Sequence, residues 1–255
     1  MSRVVRVAIL SLAVHVGSGI ASAQSPELVT DRPDMTEAPT VVLRGMVQVE
    51  TGYLLASDGD VTRYEVPGTL VRIGLGRQTE LRIGHAGMAV GEGNHGAGDS
   101  ALGVKVNLIE RADGWRPELS ILGGLSMPTG DEGFSSNRVD PSFLVALAYE
   151  LSPRLSLGSN VGVAWESSSE EIDRDAAIVY SLVLGSGLTN RLSAFLEVFG
   201  DWQTTGASAT SVSVDGGFTF LLTDLVQLDA YVGHGLRGLT DDVFVGTGLS
   251  FRLPR

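Results

Sequence analysis

The chain has 255 residues, 33 of them glycine and none cysteine, and a formal net charge of −12. That acidity, with no stripe of Lys or Arg to set against phosphates, excludes nucleic acid as a partner, and the missing cysteines exclude disulfide staples. Glycine is scattered inside apolar runs, where it penalises a helical reading by about 1 kcal/mol per residue; in curved sheets it marks bends and close packing.

Residues 1–23 read as a secretory signal peptide. Arg3 and Arg6 form the basic region, "VAILSLAVHV" the apolar core and Ala21–Ala23 the cleavage site. The run is too short to span a bilayer comfortably, and no later segment approaches the about 20 apolar residues of a transmembrane helix. Losing Arg3 and Arg6 with the leader takes the net charge from −12 to −14.

Residues 24–42 form a separate N-terminal segment. Its core, "TDRPDMTEAP" (Thr30–Pro39), holds two prolines and four charges, which bar it from a helix or a central strand.

From residue 43 to 255 the pattern is strand after strand. Twelve runs alternate apolar and polar residues: 43–56, 64–76, 79–91, 98–109, 117–128, 140–151, 154–167, 174–188, 191–203, 208–222, 225–237 and 241–253. In "SALGVKVNLI", Leu102, Val104, Val106 and Leu108 share one face and Lys105 and Asn107 the other. Many runs reach ten residues, against about five or six in soluble sheets. Short turns ("GRQT", "SPR", "TNR", "TD") alternate with longer polar connections ("SDGDVTR", "EGNHGAG", "TGDEGFSSNRVD", "SSSEEIDRD", "TTGASA", "RGLTDD"). Only "RADGWR" blurs the short class.

This pattern predicts an all-β fold, a membrane-spanning up-and-down antiparallel β-barrel of about 12 strands, over a soluble β-sandwich. Apolar faces would meet lipid and polar faces the lumen. Trp165 and Trp202 stand near strand ends, as interfacial aromatics do, and Trp115 sits in a short turn. An even strand count puts both termini on one side, the periplasm, with the long loops outside.

The chain resembles the outer-membrane transporter family of phenol meta-pathway degradation proteins. The resemblance is carried by "TDRPDMTEAP", "GDSALGVKVNL" (98–108), "LSILGGLSMPTGDEGF" (119–134) and the closing "VFVGTGLSFRL". It implies an outer-membrane barrel in a Gram-negative cell that passes aromatic or other small hydrophobic molecules. Such barrels commonly finish on an aromatic residue; this chain runs past Phe251 as "RLPR".

No motif for catalysis, cofactor or metal appears. His85, His95 and His234 lack HExxH or CxxC company, and GxSxG and P-loop patterns are missing. The expectation is a porin-like transporter with no catalytic residues, cofactor or metal. A structural or surface-interaction barrel with a closed lumen stays open as the alternative, with a barrel-borne hydrolase a distant third. Lumen-lining candidates are Glu50, Arg72, Arg82, Lys105, Asn107, Glu118, Glu197, Asp229 and Arg252, with Asp201 on the same polar face. Asp31, Arg32, Pro33, Asp34, Thr36 and Glu37 are candidates for a plug or gate. Folded upward, their charges would pair with Arg72, Arg82, Lys105 or Glu118; a disordered periplasmic leader is the alternative. Expected partners are outer-membrane lipids, lipopolysaccharide, the barrel-assembly machinery and a small-molecule solute. Acidic loop residues such as Asp58, Asp131, Glu132, Asp241 and Asp242 serve either solubility or divalent-cation bridging to lipopolysaccharide.

Overall fold

A computed structural model describes residues 27–253 except 60, 92, 112–115, 168–173 and 205–209. The predicted leader (1–23) and Trp115 lie outside these residues. The described residues form strands and loops only: β1 Val47–Asp58, β2 Val61–Gly74, β3 Thr79–His85, β4 Met88–Gly91, β5 Asn94–Ala97, β6 Ser100–Ile109, β7 Glu118–Met127, β8 Asp140–Ser152, β9 Leu155–Ser167, β10 Arg174–Gly187, β11 Leu192–Gln203, β12 Thr210–Thr223, β13 Val226–Arg237 and β14 Val243–Leu253.

Twelve of these strands make a closed antiparallel barrel. Each pairs with its neighbours in sequence, and β1 closes the ring on β14 from Val47↔Leu253 to Ser57↔Val243. Closure leaves no edge, which is what lets a sheet stand in hydrocarbon. The remaining two strands, β4 and β5, are a short hairpin that continues β3 and β6 beyond the ring.

The predicted run 79–91 is therefore interrupted, the run 98–109 begins only at Ser100, and β5 occupies most of the expected loop "EGNHGAG"; the cause lies in β2. Pro67 has no N–H to give to a ladder. Around it the β1–β2 register slips between Gly52 and Leu54, and the neighbouring strand breaks at Ala86–Gly87. Gly87 takes φ +86°, and a Cβ there would lie 2.7 Å from the Pro67 backbone. The opposite strand breaks in step: Ala86 N–H donates to Asp99 O and Gly98 N–H to Gly87 O.

The expected loop "SDGDVTR" is also corrected. Its residues belong mostly to β1 and β2, which pair out to Asp58↔Val61. Residues 43–46, predicted as strand, form a turn against the end of β2, with Gly45 N–H donating to Gly74 O.

The two faces of the wall differ as the alternation predicts. Leu102, Leu125, Phe143, Leu182, Leu196, Phe218, Leu228 and Val245 point outward and are exposed; Trp165 and Trp202 join them near the long-loop end. Gln48, Glu50, Arg72, Glu80, Lys105, Ser120, Asn160, Glu197 and Asp229 point inward and are buried. The hydrophobic exterior and polar interior invert the arrangement of a soluble core, because lipid replaces water outside. The prediction is directional. Val198→Lys, outward at the middle of β11, costs about 2–4 kcal/mol in equilibrium folding into lipid vesicles, whereas inward Ser193→Lys near the barrel rim costs far less.

Candidate functional site in the barrel lumen

The inward polar residues converge on residues 27–43, which run inside the ring. The segment starts at the short-turn end, where Arg252 donates to Glu27 O at 3.2 Å. It rises to a tip at Met35, whose N–H donates to Glu197 Oε2 at 2.7 Å. It returns to the same end, where Val42 N–H donates to Glu80 Oε2 at 2.7 Å.

Seven charged groups form its main anchor. The Asp31 carboxylate lies 3.0 Å from Arg72, 2.5 Å from Arg82 and 3.1 Å from Lys105. Arg82 Nη2 donates to both Glu37 oxygens, at 2.7 and 2.8 Å, with Lys105 3.4 Å away. Glu80 sits among the same three cations, 2.9 Å from Arg72, 3.0 Å from Arg82 and 3.7 Å from Lys105. Glu50 takes Arg72 at 3.1 Å and the N–H groups of Asp31 and Arg32 at 2.9 and 3.1 Å. Four carboxylates thus surround three cations, and the spare donor capacity of the cations goes to the segment's backbone. Arg72 donates to Thr40 O at 2.7 Å and Lys105 to Ala38 O at 2.7 Å.

A second attachment lies across the lumen. Arg32 pairs with Asp229 at 3.1 Å, and its guanidinium lies over Gly52 and Gly248. A Cβ at either glycine would collide with that group, so the wall is bare there to admit it. Thr36 Oγ1 donates to Glu197 and approaches Ser181 Oγ at 2.7 Å; Glu37 N–H donates to Asn160 Oδ1 at 2.6 Å.

Each sequence-selected residue can now be placed. Glu50, Arg72, Arg82, Lys105, Asn107, Glu118, Glu197, Asp229 and Arg252 all face inward and are buried. Asp31 and Glu37 meet Arg72, Arg82 and Lys105 as the segment's charges suggest. Arg32 does not meet Glu118, its expected partner, but Asp229; Glu118 instead accepts from Thr40 and Asn107 at 3.1 and 2.9 Å. Asp34 and Pro33 border the cavity below the tip. Sequence reading missed Glu80, Gln48, Asn160, Ser181 and Asp215. Glu80 stands two residues before Arg82 and Gln48 two before Glu50, so strand parity alone could have found them. Two of the histidines bond backbone: Gly87 N–H donates to His85 Nδ1 at 2.8 Å, and His234 Nδ1 meets Asp242 O.

The loop carboxylates have internal partners as well. Asp241 pairs with Arg63 at 3.2 Å, Asp242 accepts from Gly59 N–H at 3.0 Å, and Asp131 from Ala97 N–H at 2.8 Å. Burial acts to raise the Asp99 pKa, but the N–H groups of Gly130 and Ser136 outweigh it and hold the carboxyl below its usual value. No group of three metal-ligating side chains occurs among the described residues.

Cavities flank the tip on both sides. One of about 380 Å³ reaches the short-turn end past Arg111, Pro153 and Arg154. The other, of about 560 Å³, reaches the long-loop end past Leu239, Thr240 and Asp241.

A closed 12-stranded ring with an apolar exterior and a charged, occupied lumen has the fold of an outer-membrane β-barrel. The chain belongs to the family described as "Putative MetA-pathway of phenol degradation", whose model matches residues 30–253. No curated protein sequence matches it. Among solved structures it is similar to the COG4313 outer membrane channel from Pseudomonas putida F1, with TM-score 0.67 and 13% identity over 84% of this chain and 97% of that one. It is also similar to the NanC porin, with TM-score 0.57 and 14% identity over 81% and 100%. The KdgM porin follows, with TM-score 0.53 and 8% identity over 80% and 98%. At these identities the likeness is one of fold.

The anchor makes a mutational prediction. Arg82→Met leaves four carboxylates with two cations, Arg72 and Lys105, and destabilises the protein by about 3–5 kcal/mol, read by denaturant unfolding, because buried negative charge is left uncompensated. Arg77→Ala, which breaks the exposed pair with Glu110, leaves stability unchanged.

Proposed function

We propose that the protein is an outer-membrane channel that passes small aromatic or hydrophobic solutes by passive diffusion, and that residues 31–37 gate its lumen. The observation that carries this reading is the pair of cavities facing opposite ends of the barrel, separated by the tip of one segment. A filled structural barrel has no use for two such vestibules. The gate is held by side-chain contacts and hydrogen bonds, with no strand pairing to the wall, so it can leave without opening the ring. Family membership and the channel and porin folds of the similar structures support the same reading.

In this reading the short turns and the N-terminal segment face the periplasm and the long loops face outward. Residues 1–23 direct export, and the barrel-assembly machinery inserts the chain among outer-membrane lipids and lipopolysaccharide. The segment from residue 24 to 42 acts as a plug and brace for the barrel that follows it.

Deletion of residues 25–40 tests both roles. Planar-bilayer recordings should show a several-fold rise in single-channel conductance, and thermal unfolding should shift to lower temperature. Unchanged conductance together with unchanged stability would contradict the gate.

A further inference from the structure

The outer cavity differs in chemistry from the rest of the lumen. Its charged lining consists of Glu37, Glu166, Asp201, Asp215 and Asp241, with no Lys or Arg among the described residues that border it. Arg82 neutralises Glu37 and Arg63 neutralises Asp241. Glu166, Asp201 and Asp215 form no ion pair among the described residues. The cavity on the other side of the tip is mixed, with Arg32, Arg111, Arg116 and Arg154 beside its acids.

Asp215 is the most informative of the three. It is 3% exposed, faces the cavity from β12, and neither carboxylate oxygen receives a hydrogen bond from an N–H group, a hydroxyl or a cation among the described residues. Buried carboxylates are almost always met by donors or cations, so a side chain with neither calls for a cationic partner. The strand register sets Asp215 directly beside Glu197 on β11. The two carboxyls are in hydrogen-bond contact, but Glu197 is an acid itself and its oxygens already accept from Met35 N–H and the Thr36 hydroxyl, so the contact brings no positive charge to Asp215.

Three aromatic rings complete the wall. Phe244 packs edge-on against Phe199, with centroids 6.1 Å apart at 65°, and against Tyr231 at 6.4 Å and 62°. The Phe244 ring lies over Gly233 and the Tyr231 ring over Gly246, where a Cβ would collide with either ring. These glycines keep the rings against the wall and the cavity open. Aromatic faces attract cations, and more strongly where water is displaced. A volume of about 560 Å³ lies within the about 300–1,000 Å³ typical of small-molecule sites.

We infer that the outer cavity binds small organic cations, a protonated amine carried on an aromatic or apolar body. The ammonium would donate to Asp215, with Glu166 and Asp201 supplying the surrounding negative field, and the body would rest against Phe199, Tyr231 and Phe244. This deepens the channel reading, and rests on it in making the cavity the place where an incoming solute is first held.

Equilibrium binding tests the site without asking for flux. The full chain in detergent micelles is titrated calorimetrically with benzylamine, benzyl alcohol and benzoate, against detergent alone. Benzylamine should bind at least about tenfold more tightly than benzyl alcohol, and benzoate should not bind, since a hydrogen bond to a charged group outweighs a neutral one. Asp215→Asn should weaken benzylamine about tenfold to a hundredfold and leave benzyl alcohol unchanged. Asp224→Asn, in the turn after β12 at the far end, should alter neither. Equal affinity for benzylamine and benzyl alcohol in the native protein would overturn the proposal whether or not the variant folds, and so would undiminished benzylamine binding by a folded Asp215→Asn protein. A barrel that binds benzylamine but carries no current contradicts the channel and not the site; one that conducts without preferring the amine contradicts only the site.

Discussion

Hydrocarbon offers no hydrogen bond to a peptide group, so a sheet standing in lipid must pair every N–H and C=O within itself. The β1–β14 ladder meets that demand here, and much follows from it. Closure gives each strand an inside and an outside, and the two-residue period then sorts the side chains. Outward positions collect Leu, Val, Phe and Trp. Inward positions collect Arg, Lys, Glu, Gln and Asn, which no longer face bulk water. Where the ladder cannot be kept, at Pro67, the break is shared among three neighbouring strands and a hairpin carries the pairing onward.

Closure also creates a second constraint. Charges drawn into a narrow ring lose hydration, and each must find a partner. Arg72, Arg82 and Lys105 are drawn together on adjacent strands, where Glu50 and Glu80 do not balance them. Asp31 and Glu37 of the N-terminal segment supply the missing negative charge, and the cations satisfy the segment's carbonyls in return. A proline-rich stretch suits this role. It forms no strand to compete with the wall, and its unpaired carbonyls at Ala38, Pro39 and Thr40 are acceptors for Lys105, Asn107 and Arg72. In the proposed function the same attachments hold the gate shut. The unbalanced carboxylates above the tip, Asp215 foremost, are what would make the outer mouth selective.

Much of this was legible in the sequence, because barrel wall and strand parity share one period. The nine selected lumen residues face inward since alternation alone determines face once the exterior is lipid. The family resemblance also rested on residues the structure makes important: "TDRPDMTEAP" is the segment inside the ring. What could not be read was position around the ring. Arg32 and Asp229 are 197 residues apart, and only the closed ladder brings β13 beside β1's partner strand. For that reason Glu118 was a reasonable but mistaken partner for the segment's charge. Interruptions were equally hidden: Pro67 sits in an otherwise regular run, and its effect on residues 86–99 depends on cross-strand contacts. Asp215 carries no mark in the sequence, because an acid on a polar face looks ordinary until the closed ladder sets it beside Glu197 with no cation near.

Residues 31–37 occupy the lumen, and the chain's lack of cysteine makes that directly measurable. Thr36 and Ser181 approach through their hydroxyls at 2.7 Å, so cysteines at both positions lie within disulfide reach only if the tip is where it is described. In Thr36→Cys/Ser181→Cys protein folded into outer-membrane vesicles, the disulfide should form on mild oxidation and hold conductance at its low level, and reduction should restore gating. Failure of the pair to cross-link, with the thiol introduced by Thr36→Cys freely labelled by a bulky water-soluble maleimide, would place the segment outside the barrel and contradict a plugged lumen.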